Sequence, residues 1–86
     1  MITFKTETGS TYEVDFGHRQ IRRLGNDEGR PSTERLGADG VWKSYEELDL
    51  CVGDYAVILW GVDETPEGRS ARCTVTSRVV AMDAAS

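Results

Sequence analysis

The sequence predicts an all-β domain, either a small barrel or a compact sandwich, of roughly five to seven short and mostly antiparallel strands with at most one short helical turn. Three observations lead to this prediction. Apolar and polar residues alternate along most of the chain, as they do in strands that bury one face. Turn residues recur about every 8 to 15 residues, and hardly any segment shows the period of about 3.6 residues that marks a helix. With 86 residues, the chain has room for a single domain spanning 1–86.

The opening of the chain predicts a β-hairpin. The segments ITFKTE (2–7) and TYEVDF (11–16) both alternate, which is typical of strands with one buried face. Gly9 lies between them and can adopt the positive φ that a tight hairpin turn requires. The residues expected on the inward face are Ile2, Phe4, Tyr12, Val14 and Phe16.

Two further strands flank a long polar connection. RQIRRL (19–24) predicts a third strand with Ile21 on the face opposite its polar neighbours, and DGVWKSY (39–45) predicts a fourth that follows an Asp-Gly turn. Between them, residues 25–40 contain too many glycines for a regular element. This segment is predicted to be a long polar loop, with a brief strand around 33–36 as one option.

The middle of the chain contains an ambiguous segment and then the most apolar one. SYEELDL (44–50) fits either one helical turn, with Ser44 and Glu47 as its capping box, or an extended connection. The nearly continuous apolar run from 55 to 62 predicts the central strand of the fold, covered on both faces. Trp60, within this run, is expected in the core.

The remaining segments are predicted from their turn residues and their β-branched content. Residues 52–54 should form a turn, and DETPEGR (63–69) should form a second polar loop around its proline and glycine. SARCTVTSRVVAM (70–82) predicts a long last strand that is bent or interrupted near 77–78. The tail, 83–86, is expected to fray.

Charge and composition limit the classes of partner. The net charge of −5 and the pI near 4.7 make binding to extended nucleic acid or to an anionic membrane surface unfavourable. Neither a leader peptide nor an apolar run long enough for a bilayer is found, which predicts no membrane contact and a cytoplasmic location. Cys51 and Cys73 match no zinc-ligand spacing and are expected to be reduced, buried, structural thiols, with a disulfide as the less favoured alternative.

No pattern predicts catalytic residues, a metal site or a cofactor, so we expect no enzymatic activity. His18 has only Asp15 as a local partner and is expected at the surface or in a turn. Cys73 alternates with Val75 on what reads as a packed strand face, without a base or access. The carboxylates between 46 and 54 match no calcium loop and are expected to form a solvated acidic face.

The candidate binding residues lie in and next to the polar loop. Arginine offers a rigid fork of donors to carboxylate or phosphate, and arginine and tryptophan are enriched at binding hot spots. Connections longer than about 12 to 15 residues are uncommon in compact domains and are often functional or disordered. The alternative is that the arginines pair with acids of the same loop, where an exposed ion pair contributes about 0 to 1 kcal/mol. The predicted site comprises Arg22, Arg23, Arg30, Arg35, Trp42 and Tyr45, although Trp42 fits either an exposed or a buried position.

The order of these segments resembles that of a known group of proteins. TFKTETGSTYEVD, IRRL, a Pro/Arg loop, DGVWKSYEEL, VGDYAVILWG and CTVTSRVV follow one another over nearly the whole chain. In this order they are similar to a group of small uncharacterised proteins that phages of actinobacteria encode. The resemblance implies a small β-rich phage accessory protein that works in the host cytoplasm, and it implies no activity for any residue.

Two functional hypotheses follow. The first is a non-enzymatic interaction module that binds a host or phage protein, or a second copy of itself, because a small open sheet offers edges and faces to a partner. The alternative is a binder of a small phosphorylated ligand, a nucleotide or a short single strand, in which the loop arginines hold phosphate and an aromatic residue stacks a base.

Overall fold

A computed structural model describes residues 1–84, and these residues form seven strands and no helix. The all-β prediction is therefore confirmed, and so is the predicted range of strand number. The strands are β1 (Ile2–Thr6), β2 (Ser10–Asp15), β3 (Gln20–Asn26), β4 (Lys43–Ser44), β5 (Glu47–Asp49), β6 (Tyr55–Thr65) and β7 (Gly68–Ala84).

All seven strands belong to one antiparallel sheet, in the order β4-β3-β2-β1-β7-β6-β5. The two edge strands, β4 and β5, are nevertheless separated in the chain by only Tyr45 and Glu46. The Tyr45 N–H donates to the carbonyl of Arg19 beside β3 (2.9 Å), and the Glu46 N–H donates to the carbonyl of Leu59 in β6 (2.8 Å). The sheet is thus curled until its two edges meet at this point, which we call the seam, although no strand pairing joins them within residues 1–84.

The core lies on the concave face of the curled sheet, as the alternation of the first hairpin predicts. Phe4 and Tyr12 are buried and stacked, with ring centroids 4.8 Å apart, and Val14 lies beside them. Gly9 has a φ of +89° in the turn, as expected. The prediction for Phe16 is wrong: it lies just beyond the end of β2, where no opposite strand covers it, and it is 49% exposed.

The β6–β7 hairpin extends beyond the core, and we call its exposed part, residues 62–73, the arm. The arm accounts for the elongated shape of the molecule, 41 × 28 × 25 Å. A β-bulge between Leu59 and Gly61 marks its base. The prediction that the central strand is covered on both faces is wrong: Ala56 and Ile58 are fully buried, but no layer formed by residues 1–84 covers the opposite face.

Several sequence expectations about irregular segments are settled by the fold. The segment 44–50 is extended rather than helical, because it supplies the two edge strands, and the option of a strand at 33–36 is wrong because a turn occupies 34–36. The register of β7 shifts between Val75 and Arg78, which confirms a bend near 77–78. Within the predicted frayed tail, residues 83 and 84 pair with β1, while residues 85 and 86 lie outside the described residues.

Both cysteines contradict their predicted burial. Cys51 and Cys73 are exposed and free. Cys73 alternates with Val75 as expected, but both lie on the exposed face of the β6–β7 hairpin. Alternation alone does not show which of the two faces of a strand is packed.

Candidate binding surfaces

The arginines of β3 are both held by carboxylates. Arg22 donates from Nε and Nη2 to the same oxygen of Glu13 on β2, at 2.8 and 2.5 Å. The guanidinium also lies over the ring of Trp42, 4.5 Å from the ring centroid. These contacts fix Trp42 against the outside of β3 as a half-buried residue and use the donors that an anion would need.

Arg23 is buried, because the alternation of β3 places it on the inward face with Ile21. Its guanidinium donates to both carboxylate oxygens of Asp39, at 2.6 and 3.1 Å, and to the carbonyl of Arg30 at 2.7 Å. The hydrogen bond from Arg23 holds the pKa of the Asp39 carboxyl below its ordinary value, and the same bond raises the pKa of the guanidinium.

The long polar loop is organised around Asn26. Its side-chain oxygen accepts from the N–H groups of Glu28 (2.9 Å) and Arg30 (3.2 Å), and its amide donates to the carbonyl of Thr8 (3.1 Å). Arg30 forms an exposed ion pair with Glu28 at 3.1 Å. Asn26 and Arg23 together therefore give the loop a defined shape through side chains that replace the missing backbone ladder.

This loop encloses an open hollow of about 610 Å³ that is lined mainly by its own polar groups. The hydroxyl oxygen of Ser32 is buried there and has no hydrogen-bond partner among the described residues. A hollow with one orphaned hydroxyl and several backbone groups is suited to ordered water.

The remaining predicted site residues lie in different places. Tyr45 is buried in the core at the seam, and this burial raises the pKa of its phenol. Arg35 lines a separate cleft, whose lining includes neither arginine of β3. The structure thus brings Arg22 to Trp42 and Arg23 to the backbone of Arg30, but it does not gather the six predicted residues into one site.

The cleft that contains Arg35 lies at the seam and has a volume of about 270 Å³; we call it the seam cleft. Its lining residues come from the loop, both sides of the seam and the base of the arm: Arg35, Lys43, Ser44, Trp60 and Arg72. Every ionisable residue in this lining is a cation. Sequence reasoning missed Lys43, Trp60 and Arg72 because they are far apart in the chain and meet only when the sheet curls.

A second surface that sequence reasoning missed is the uncovered face of the β6–β7 hairpin. The residues on this outer face follow from the strand alternation and the pairing register: Val57, Leu59, Val62, Ala71, Cys73 and Val75. Val75 is 58% exposed and Val62 is 39% exposed. Glu47 and Asp49 of β5 pair with Leu59 and Val57 and border this apolar face. An exposed apolar face on so small a protein is typical of a protein-binding surface.

The remaining polar candidates, His18 and the carboxylates from 46 to 49, are exposed. The His18 ring Nδ1 lies 2.8 Å from an Asp15 carboxylate oxygen, and its backbone N–H donates to the other oxygen at 3.2 Å. These hydrogen bonds from His18 lower the pKa of Asp15. Glu46, Glu47 and Asp49 are exposed, and no three His, Cys, Asp or Glu side chains within residues 1–84 converge as metal ligands would.

Comparison with known proteins adds no relative. No protein-family model, curated protein or solved structure matches this chain. The resemblance to actinobacterial phage proteins therefore stays a prediction. In the stretch from 1 to 84, no helix has the length and apolar character to cross a bilayer.

Proposed function

We propose that the protein is a non-enzymatic interaction module that docks through the outer face of the β6–β7 hairpin, and that its partner is a second copy of the chain. The observation that carries this proposal is the apolar outer face itself, on which Val75 is 58% exposed and Val62, on the projecting arm, is 39% exposed. Covering such a face removes apolar surface from water, which stabilises an assembly by about 25 cal/mol per Å² before the costs of association.

The charges of the arm favour a symmetric partner. Towards the tip of the arm, the outer face continues with the pair Glu64 and Arg69. The Arg69 Nε lies 3.7 Å from Oε1 of Glu64, and both side chains are more than 70% exposed. A two-fold axis that runs along the arm, between β6 and β7, would place β6 of one copy over β7 of the other and bring the Glu64 of one copy to the Arg69 of its partner. Charges of both signs on one face therefore complement themselves, which a face of one sign would not.

Sedimentation velocity from low to high micromolar protein tests the assembly. We expect a concentration-dependent dimer, and Val75→Glu should weaken it by at least about tenfold, because it places a charge where about 1.5 to 3 kcal/mol of side-chain burial is expected. Val41→Glu is the matched control, since Val41 is similarly exposed (46%) but lies in the loop before β4 rather than on the outer face. A protein that stays monomeric throughout would contradict the proposal, as would equal weakening by both variants.

The two cysteines provide an internal probe of the same surface. Cys73 lies on the outer face, whereas Cys51 precedes β6 and lies outside it, and both are exposed. As the protein concentration rises, the rate of maleimide labelling should fall at Cys73 and stay constant at Cys51. Constant rates at both cysteines would argue against docking through this face.

A further inference from the structure

We infer that the seam cleft binds the phosphate or pyrophosphate group of a small molecule. This site is separate from the proposed docking surface, because the register places Arg72 on the face of the hairpin opposite Val62 and Ala71. Either proposal can therefore fail without the other.

The first argument is the concentration of cations in an acidic protein. Most other arginines in the described chain have carboxylate partners: Arg22, Arg23, Arg30 and Arg69. Within residues 1–84, Arg35 and Lys43 form no ion pair with a carboxylate, although the protein carries five net negative charges. Both cations share the cleft with Arg72, which pairs with the carboxylate of Asp63 at 3.1 Å, so the cleft keeps an excess of positive charge that a bound dianion would neutralise.

The second argument is that glycines make room for two of these cations. At residue 61, a Cβ atom would clash with the guanidinium of Arg72, so glycine there lets the arginine lie flat across β6. At residue 37, a Cβ atom would lie 3.3 Å from Cε of Lys43. The backbone therefore approaches both cationic side chains closely on the two sides of the cleft, although the φ of +68° at residue 37 already favours glycine there.

The third argument is that the remaining lining suits a phosphorylated compound. Ser44 adds a hydroxyl donor from β4. The indole of Trp60 is fixed by the hydrogen bond that its Nε1–H donates to Thr74 Oγ1 at 2.8 Å, and it forms a partly exposed aromatic wall. Arginine binds phosphate with two parallel hydrogen bonds, lysine binds it as a point charge, and an aromatic wall favours a flat organic group beside it.

Fluorescence titration with inorganic pyrophosphate tests this site, in a Trp42→Phe background so that Trp60 is the reporting indole. We expect a saturable change that weakens as salt is added. Lys43→Ala and Arg72→Ala should each lower the affinity about tenfold or more, as expected for loss of a charge-assisted hydrogen bond. The matched control is Arg69→Ala, an arm arginine outside the cleft, which should retain the affinity within about twofold.

A variant that binds pyrophosphate more tightly tests whether the affinity losses of the alanine variants are due to misfolding. Asp63 lies 3.1 Å from Arg72, on an exposed part of the arm, and competes with a bound anion for the guanidinium. Asp63→Asn should therefore tighten pyrophosphate binding severalfold, whereas Val75→Glu on the outer face should leave it unchanged.

The affinities for ADP and for pyrophosphate distinguish an organic diphosphate from the free anion as the ligand. Tighter binding of ADP would assign an organic diphosphate that contacts Trp60, and tighter binding of pyrophosphate would assign the free anion; both support the site. The absence of a saturable signal from either probe would overturn the proposal, and so would an equal loss in Arg69→Ala and Arg72→Ala.

Discussion

The arginines of β3 and the arginines of the arm differ in how they are held. The Arg23 side chain is 7% exposed and Arg22 is 30% exposed, and each has a carboxylate within 2.6 Å. Arg72 and Arg69 are 45% and 73% exposed, and their carboxylates lie at 3.1 and 3.7 Å. In the first region charge is part of the folded structure, whereas in the second it contributes little to stability and is available to a ligand or a partner.

The apolar residues of the two regions show the same difference. The hairpin β1–β2 buries Phe4, Tyr12 and Val14, but the arm carries its apolar residues on an uncovered face. The stability of the domain should therefore depend on one region and its binding on the other. The following experiments test this division, from the largest expected effect to the smallest.

Two substitutions on the same strand test the boundary most directly. Ile58→Ala should lower the free energy of unfolding by about 2 to 5 kcal/mol, because it removes a fully buried side chain from the core. Val62→Ala, four residues later and on the arm, should cost less than about 0.5 kcal/mol. Urea denaturation measures both, and similar losses would remove the distinction between core and arm.

Arg23→Met tests whether the buried arginine is structural. The methionine keeps an apolar stem in place, but it leaves Asp39 and the carbonyl of Arg30 without their donor, so we expect a loss of about 1 to 3 kcal/mol. Arg30→Met is the control, because its ion pair with Glu28 is exposed and contributes about 0 to 1 kcal/mol. Equal costs for the two variants would show that burial of Arg23 does not matter.

Acid titration tests the same difference between the arginines of β3 and those of the arm. Because its folded pKa is depressed, Asp39 contributes stability that is present above the unfolded value of about 3.9 and is lost as the pH falls through the folded pKa. Asp39→Asn should make the decline in melting temperature below about pH 4 shallower than in the wild type. An acid limb as steep in Asp39→Asn as in the wild type would contradict the distinction.

Shortening the arm should have the smallest effect on stability. Val62 pairs with Ala71, so residues 63–70 can be replaced by an Asn-Gly turn that keeps this pair in register. We expect the free energy of unfolding to change by less than about 0.5 kcal/mol, since the deleted residues are exposed. A much larger loss, measured by thermal unfolding, would show that the tip of the arm supports the core.

Local sequence patterns account for most of the strands but not for how they meet. The alternation in β1 and β2 and the glycine at position 9 are local signals, and they predict the first hairpin. The pairing of Ile2 with Ala84, and the meeting of β4 and β5 at the seam, join residues whose proximity no local pattern specifies. The seam cleft exists only because the two edges meet, so Lys43, Trp60 and Arg72 could not be assigned to it from the sequence.

The predicted arginine site shows a different limit. The alternation of β3 places Arg23 on the same face as Ile21, and this signal for burial was present in the sequence. The general rule that arginine lies at the surface opposed this signal. Asp39, sixteen residues away, makes the burial of Arg23 favourable because it accepts a hydrogen bond from the guanidinium. The functional roles predicted for the six residues stay predictions.

The short segment from β4 to β5 pairs with strands near both edges of the sheet. Lys43 and Ser44 pair with β3, and three residues from Glu47 pair with β6. A single local opening of this stretch therefore uncovers backbone groups on two strands that are far apart in the sheet order. Hydrogen exchange should reveal this as a correlated loss of protection in β3 and β6, and proteins that bind exposed strand margins would find both of them in the same transient state.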